Sequence, residues 1–295
     1  MFDCLVAGEA NVDLLMESTA ALEVGKEKLA ESCRLVLGGS SAVTAHNLAR
    51  LGAKVSFVCV LGADLLGRFV EERLREAGVD LGGMRRSRTA NTGITMWHSR
   101  NRHRAGLTYP GALALLRAGD VPDARLKTAR HLHVGHYFLL THLHRQAPAL
   151  FRKARRLGLT TSVDCNDDPS EKWDSGLWKV LQHTDVFFPN EREAALLTGE
   201  KNPEHAAREL ARLARVVALK RGAKGALIVS GDKLLRVPVI QTKVVDTTGA
   251  GDSFNAGFLA RFLRGASLED CARAAARAAA RSVRRVGGTA AFEAR

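Results

Sequence analysis

The sequence predicts an α/β protein with a mainly parallel sheet covered by helices on both faces. Two observations carry that prediction. Short apolar runs alternate with segments whose apolar residues recur at helical spacing, the order expected of βα units. That β–α alternation argues for a parallel sheet covered on both faces. Glycines close several of the helical segments. At 295 residues the chain is long enough for one large domain with a good core, or for two small ones. With no internal repeat or low-complexity linker, we expect a single α/β domain over 1–295.

The elements follow in order. The apolar run at 2–7 is short enough to be a first buried strand. A helix over 41–51 stops at Gly52, a strand follows at 55–60, and a helix over 65–77 stops at Gly78. Next come a strand near 131–134, a helix near 145–157 and a strand near 160–164. The later chain gives a strand at 184–188, helices at 191–198 and 204–213, and strands at 215–219 and 226–230. From Phe254 the apolar positions 254, 258, 259, 262 and 263 keep helical spacing, and Gly265 is the expected cap. Two stretches break the rhythm. Residues 14–37 hold no long helical pattern, and 88–109 read as paired short strands around a polar turn at 99–104.

Composition excludes more than it assigns. No run of eighteen apolar residues and no charged-then-apolar leader are present, so neither a membrane span nor a signal peptide is expected. The five cysteines (4, 33, 59, 165 and 271) are scattered and lack any Cys-x-x-Cys pair. They fit reduced thiols in a cytoplasm, not a disulfide framework or zinc site. The net charge of +13 includes Arg273, Arg277, Arg281, Arg284 and Arg285, which would form one stripe on a C-terminal helix. Nucleic acid is one possible partner for such a stripe. With few aromatics to stack bases, a solvated helix face is the expectation, and no nucleic-acid partner is assigned. The field of the protein would in any case draw an anion such as ATP.

The most informative stretch is Asp246 to Phe258, reading Asp-Thr-Thr-Gly-Ala-Gly-Asp-Ser-Phe-Asn-Ala-Gly-Phe. It is a strand end, a glycine turn and a helix start. Gly249, Ala250 and Gly251 would present free amide N–H groups at the positive end of the helix, where an anion binds. Asp252 stands at the same terminus. A carboxylate there repels a phosphate unless a hydroxyl being deprotonated lies between them, which suggests phosphoryl transfer to an alcohol. The alternative is an ordinary connector in which Asp252 only offsets the helix dipole. No Gly-Lys-Ser/Thr follows the glycines, so this is not a P-loop.

At this point the chain resembles the ribokinase-like sugar kinases, which include ribokinase, fructokinases, ketodeoxygluconate kinases and adenosine kinase. Besides the 246–258 signature, Gly8 to Asp13 resembles the family's opening strand and substrate-binding acid. Gly38-Gly39 resembles its di-glycine motif, and Gly62 to Gly67 continues the register. Asn190 to Glu193 resembles its Asn-x-x-Glu motif, and Lys220 to Gly225 its nucleotide strand-turn. The resemblance implies a ribokinase-like three-layer αβα sandwich, with a small β-sheet lid built from 14–37 and 88–109. It implies ATP and Mg2+, with K+ as an option, a small-molecule sugar acceptor, no membrane partner, and a homodimer through the lid as one assembly.

It also implies roles for residues. Asp252 would be the base beside the Gly249–Gly251 turn. Asp13, Gly38 and Gly39 would hold the sugar, with Asn11 and Asn47 as weaker candidates. Asp13 follows the first strand, at the end of the sheet where ligands bind. The family's usual Asn, four residues after the second glycine, is Val43 here. Asn47 lies one helical turn further on, and either replaces that amide or points elsewhere. Ser40 stands where the phosphosugar-using branch tends to carry lysine, which favours an unphosphorylated acceptor. Asn190 and Glu193 have the spacing of a capping box. In the family the same pair serves the nucleotide and Mg2+, with Glu193 acting through the metal's water. Lys220, Gly222 and Gly225 would carry the nucleotide. Asp246 and Thr248, with the loop 287–289, would enclose a monovalent cation. Of His131, His133 and His136, the first two would share a strand face, but a third and fourth metal ligand are not identifiable. The nearest rivals are a nucleoside kinase, and a sugar- or nucleotide-binding regulator that has lost catalysis.

Overall fold

The structure is a computed structural model and describes residues 1–100 and 103–293. The polar turn expected at 99–104 includes 101 and 102, which lie outside the described residues. An eight-stranded sheet forms the centre. Its order is Lys233–Val237, Ala226–Ser230, Val216–Lys220, Val186–Phe187, Thr160–Val163, His131–Val134, Cys4–Ala7 and Val55–Val58. The first three strands pair antiparallel, and every other pairing is parallel.

Alternate residues of each strand feed opposite layers. Leu5 and Ala7 join one buried cluster with Leu132, Val134 and Phe187, whereas Cys4 and Val6 join another with Phe57, Phe188 and Phe258. Both faces of the central strands are therefore buried, as in a sheet covered by helices on each side. The run at 55–60 is two strands, because the chain leaves the main sheet at Cys59. Val60–Gly62 pairs instead with Arg85–Ser87. The strand expected at 184–188 is only Val186–Phe187. Thr184 and Asp185 are buried but polar, and their side chains bond the Val180 carbonyl and the Thr161 amide. The helix expected at 145–157 is two, Thr141–His144 and Ala147–Arg156.

The two stretches without helical rhythm come together in a second, four-stranded sheet. Its order is Ser32–Gly38, Asn11–Glu17, Gly93–Arg100 and His103–Tyr109. Asp13 thus lies within a strand of the small sheet, opposite Val36 and Thr95, rather than simply after the first strand of the main one. The correction has a plain reason: Gly8 to Ala10 end the first strand, and the chain then crosses to another sheet. The arginine stripe is exposed. The helix Leu268–Ser282 packs through Cys271, Ala272, Ala275 and Ala278, while Arg273 and Arg281 engage Asp270 and Phe292 at the surface. All five cysteines are free. Among the described residues, no helix is long and apolar enough to cross a membrane.

Candidate active site

Asp252 sits in the first turn of the helix Ala250–Phe262, whose N-cap is Gly249. The turn needs glycine there: φ is +68°, and a Cβ would lie 2.5 Å from Gly288 Cα. The helix starts four residues before the apolar periodicity does, so Ala250 and Gly251 already belong to it and Gly249 alone makes the left-handed turn. Ala250 N–H is spent on the Thr247 carbonyl at 3.2 Å. Those of Gly251 and Asp252 meet no acceptor among the described residues, so the free donors are fewer than the sequence suggested.

Burial pushes the Asp252 carboxyl up to about 7. The Ser40 hydroxyl donates to it and opposes the rise, while the charges of Asp164 and Glu9 add to it and Lys220 opposes. A carboxylate poised near neutrality, beside two unspent amides, can take a proton while an anion is held.

Lys220 ends the strand Val216–Lys220 and reaches the same place. Its Nζ is 2.6 Å from Asp164 Oδ2 and would touch a Cβ built on Gly251 at 3.5 Å. Asp164 also receives the Asn255 amide. Asp164 was not singled out by sequence, although it stands at the end of a recognised strand, where carboxylates meet ligands. Asn190 caps the helix Glu191–Thr198, and the expected capping box is formed. Asn190 N–H donates to Glu193 Oε2 and Glu193 N–H to Asn190 Oδ1, each at 2.9 Å.

The Glu193 carboxyl nevertheless faces the site. One ligand atom each from Asp164, Cys165 and Glu193 lies within 4.8 Å of the others. Burial holds the Cys165 thiol well above its ordinary value, hence protonated, and the two carboxylates are the hard oxygen donors that Mg2+ prefers. This donor set fits the ion.

A cleft of about 350 Å³ runs from Val239, Ile240 and Val283 past Gly222 and Gly225 to Lys220, Thr247, Ala250 and Gly251. Its volume and apolar walls suit a nucleobase, and its far end is the amide turn. Asp246 closes the turn by accepting from Thr248 N–H, Thr248 Oγ and Gly287 N–H, at 2.9, 2.7 and 2.8 Å.

On the acceptor side, Gly38 and Gly39 admit the polar groups of the small sheet. A Cβ on Gly38 would meet Asp13 Oδ1 at 2.3 Å. Asp13 is buried and pushed up to about 6 by that burial, with Arg104 opposing. Asn11 donates to Thr95 Oγ1 at 2.9 Å, and its Oδ1 is buried without a partner. Asn47 does not join them. Its amide donates to Ser253 Oγ and the Gly288 carbonyl, both at 3.0 Å, and its Oδ1 meets His46. Asn47 ties the anion turn to the C-terminal loop and has no donor left for a sugar. Val43 packs its methyls against Gly249 and Gly288, so that position is wall.

Sequence reasoning also missed Arg104. It comes from the strand His103–Tyr109, stacks 3.8 Å above the Trp97 ring, donates to Thr248 and lies 3.8 Å from Asp246. The small sheet is thus pinned to the anion turn. His131 spends both ring nitrogens on Thr160 and Ser162, and burial holds it neutral, with a value lowered to about 3. His133 is bonded to Ser162 as well, and His136 turns away to Glu9, so the three form no metal site.

Comparison with known proteins places the whole chain in one family. The whole chain, residues 1–295, matches the pfkB family carbohydrate kinase pattern. It is 32% identical over 253 residues to 2-dehydro-3-deoxygluconokinase of Bacillus subtilis, covering 79% of this chain and 76% of that one. It is 28% identical over 278 residues to a nucleoside kinase of Methanothermobacter thermautotrophicus, covering 92% and 86%. The fold superposes on Arabidopsis thaliana ribokinase complexed with ribose and ATP, with a TM-score of 0.84, 25% identity, and coverage of 98% and 94%. A kinase that phosphorylates a sugar is what these similarities support, and the chain belongs to the pfkB family of carbohydrate kinases.

Proposed function

We propose that the protein transfers the γ-phosphoryl group of ATP to a hydroxyl of an unphosphorylated pentose or hexose. The observation that carries this reading is the Asp252 carboxyl, near neutrality, next to the unspent N–H groups of Gly251 and Asp252 at the end of a nucleotide-sized cleft. Asp252 takes the hydroxyl proton as that oxygen bonds to the γ-phosphorus. The bond from phosphorus to the β–γ bridging oxygen breaks, and ADP leaves with those electrons. The two amides and Lys220 stabilise the charge on the transferring group. Asp164 and Glu193 would hold Mg2+, which neutralises phosphate charge when bound. Gly222 and Gly225 flank the base, and a monovalent cation between the loops at 246–248 and 287–289 would lie beside the amides.

Asp13 and Gly39 orient the sugar, Asn11 adds its unpartnered oxygen, and the small sheet acts as a lid fastened by Arg104. The hydroxyl of Ser40, in place of a lysine, supports an uncharged acceptor. The exposed Leu35, Leu107 and Tyr109 on the small sheet support a homodimer through the lid, and the reduced thiols a cytoplasmic location. The similarity to a nucleoside kinase favours a nucleoside acceptor as the second reading.

A coupled assay of ADP release tests both readings, with D-ribose, D-fructose, 2-dehydro-3-deoxygluconate, adenosine and cytidine as acceptors. Turnover with a free sugar and not with nucleosides is expected. Acceleration by nucleosides alone would move the assignment to the second reading, and no acceleration by any acceptor would favour a binding protein.

A further inference from the structure

Four arginines surround a second cavity, which shares no lining residue with the cleft beside Gly251. It has a volume of about 190 Å³ and lies between the helices Ala250–Phe262 and Leu268–Ser282, with Leu51 and Phe292 also in its wall. Arg261 and Arg264 reach it from the end of the first helix, and Arg277 and Arg281 from the second. Small residues bring the two helices together there. A Cβ on Gly257 would stand 2.7 Å from the Ala274 carbonyl oxygen and 2.7 Å from Ala278 Cβ. The close seam gathers both arginine pairs around one opening.

An exposed arginine usually needs no ligand, and two of these have an ordinary reason for their place. Arg261 and Arg281 stand in the last turns of their helices, where a cation offsets the negative end of the dipole. Arg264 lies beyond the first helix, and Arg277 lies more than a turn before the end of the second, so the dipoles do not account for them. At spacings of three and four residues, the members of each pair repel one another. Among the described residues none of the four has a carboxylate oxygen within 4.0 Å, whereas Arg273 on the same stripe pairs with Asp270 at 2.7 Å. Arg261 acts on Asp270 only through space, and that carboxylate is already engaged by Arg273. Arg281 is held in place: its Nε donates to the Ala291 carbonyl at 2.7 Å and its guanidinium stacks 4.8 Å above the Phe292 ring. Its terminal nitrogens meet no acceptor among the described residues, and Arg264 has only a long bond of 3.4 Å to the Gly52 carbonyl.

We propose that this cavity binds a small phosphate-bearing anion, either inorganic phosphate or the phosphoryl group of a small ester. Planar guanidinium groups match phosphate oxygens two at a time, and four of them supply more than the charge of a dianion. Size argues against a larger occupant. Pockets that enclose a whole drug-sized ligand have about 300–1,000 Å³, and this one is smaller. The site is independent of the acceptor's identity and of the part played by Asp252.

The test is binding of inorganic phosphate and of D-ribose 5-phosphate to the apo protein, by isothermal titration calorimetry at constant ionic strength. Wild type is compared with Arg261→Gln/Arg277→Gln, with Arg284→Gln/Arg285→Gln, and with Gly251→Val. Among the described residues neither Arg261 nor Arg277 donates a hydrogen bond, so the first variant removes charge without removing a structural contact. Arg284→Gln/Arg285→Gln removes the same charge from the stripe outside the cavity. The cavity variant should weaken binding by about 10- to 100-fold, the range for a lost charge-assisted hydrogen bond. The other two should keep the site, with Kd within about twofold of wild type. Tighter binding of the ester would assign the occupant as a phosphate ester, and tighter binding of phosphate as the free ion. Equal weakening in both arginine variants would show a diffuse field and no site. Loss in Gly251→Val alone would put the anion at the glycine turn. Either result overturns the proposal, as does a wild type that binds neither probe, and none of them touches the kinase reading, which the acceptor assay tests separately.

Discussion

Replacing Asp252 by Asn isolates the proposed base with little change of shape. The amide oxygen can still accept from the Ser40 hydroxyl, and Thr44 still reaches the backbone carbonyl of residue 252, so the helix start stays anchored. What is lost is the ability to take a proton. A positioned general base contributes ~10²–10⁴-fold, and kcat should fall by that much, equivalent to ~3–5 kcal/mol of barrier. ATP affinity should hold or improve, because a negative charge near the phosphates has gone.

The same substitution has a signature in stability. Burial raises the Asp252 carboxyl from 3.8 to about 7, and a carboxyl raised on folding destabilises once it ionises. The apo wild type should therefore lose stability as pH climbs from about 4 through 7. The distance between the two values bounds this contribution at ~4 kcal/mol. Asp252→Asn should raise Tm by several degrees at pH 8 and scarcely at pH 4, read by scanning fluorimetry without ligands. In wild type, kcat/KM should rise with pH and level off above about 7. A variant that keeps more than about a tenth of wild-type turnover would refute the base, and an equal Tm difference at both pH values would refute the burial argument.

Three further outcomes follow from the geometry. Gly251 has no positive φ, and a Cβ there meets only Lys220 at 3.5 Å, so Gly251→Val should fold normally yet lose ~10²–10³-fold in kcat by crowding the phosphoryl group; wild-type kinetics would make the turn a mere connector. Asp13→Ala should raise the sugar's KM and lower kcat/KM at least ~10-fold, with ATP binding unchanged; equal effects on both substrates would displace the sugar site. Val43→Asn would bury an amide against Gly249 and Gly288, where Asn47 already serves the loop, and should cost about 1–3 kcal/mol in urea unfolding without improving any sugar; a gain for one sugar would show that position 43 still reaches the acceptor.

The parts of the site legible in the sequence are those made by neighbours along the chain. The glycine turn before Asp252, the Asn190–Glu193 box and the apolar strands obey local rules of backbone geometry, capping and period, so their residue types and spacing announce them. The family signature added roles to them. The partners of those residues come from far away. Arg104 and Thr248 are 144 positions apart, Lys220 and Asp164 are 56, Asn47 and Ser253 are 206, and His136 and Glu9 are 127. No periodicity links such pairs. They meet because parallel strands deliver their C-terminal ends to one edge of the sheet and a second sheet crosses above it. That convergence also set the charges: burial among carboxylates raises Asp252 and Asp13, and the loss of water that causes it exists only once the layers have closed. The sequence by itself determined which groups are candidates for phosphoryl transfer; the packing decided that Asn47 would be a strut, Val43 a wall, Asp164 the partner of Lys220, and Arg104 the link from the small sheet to the glycine turn.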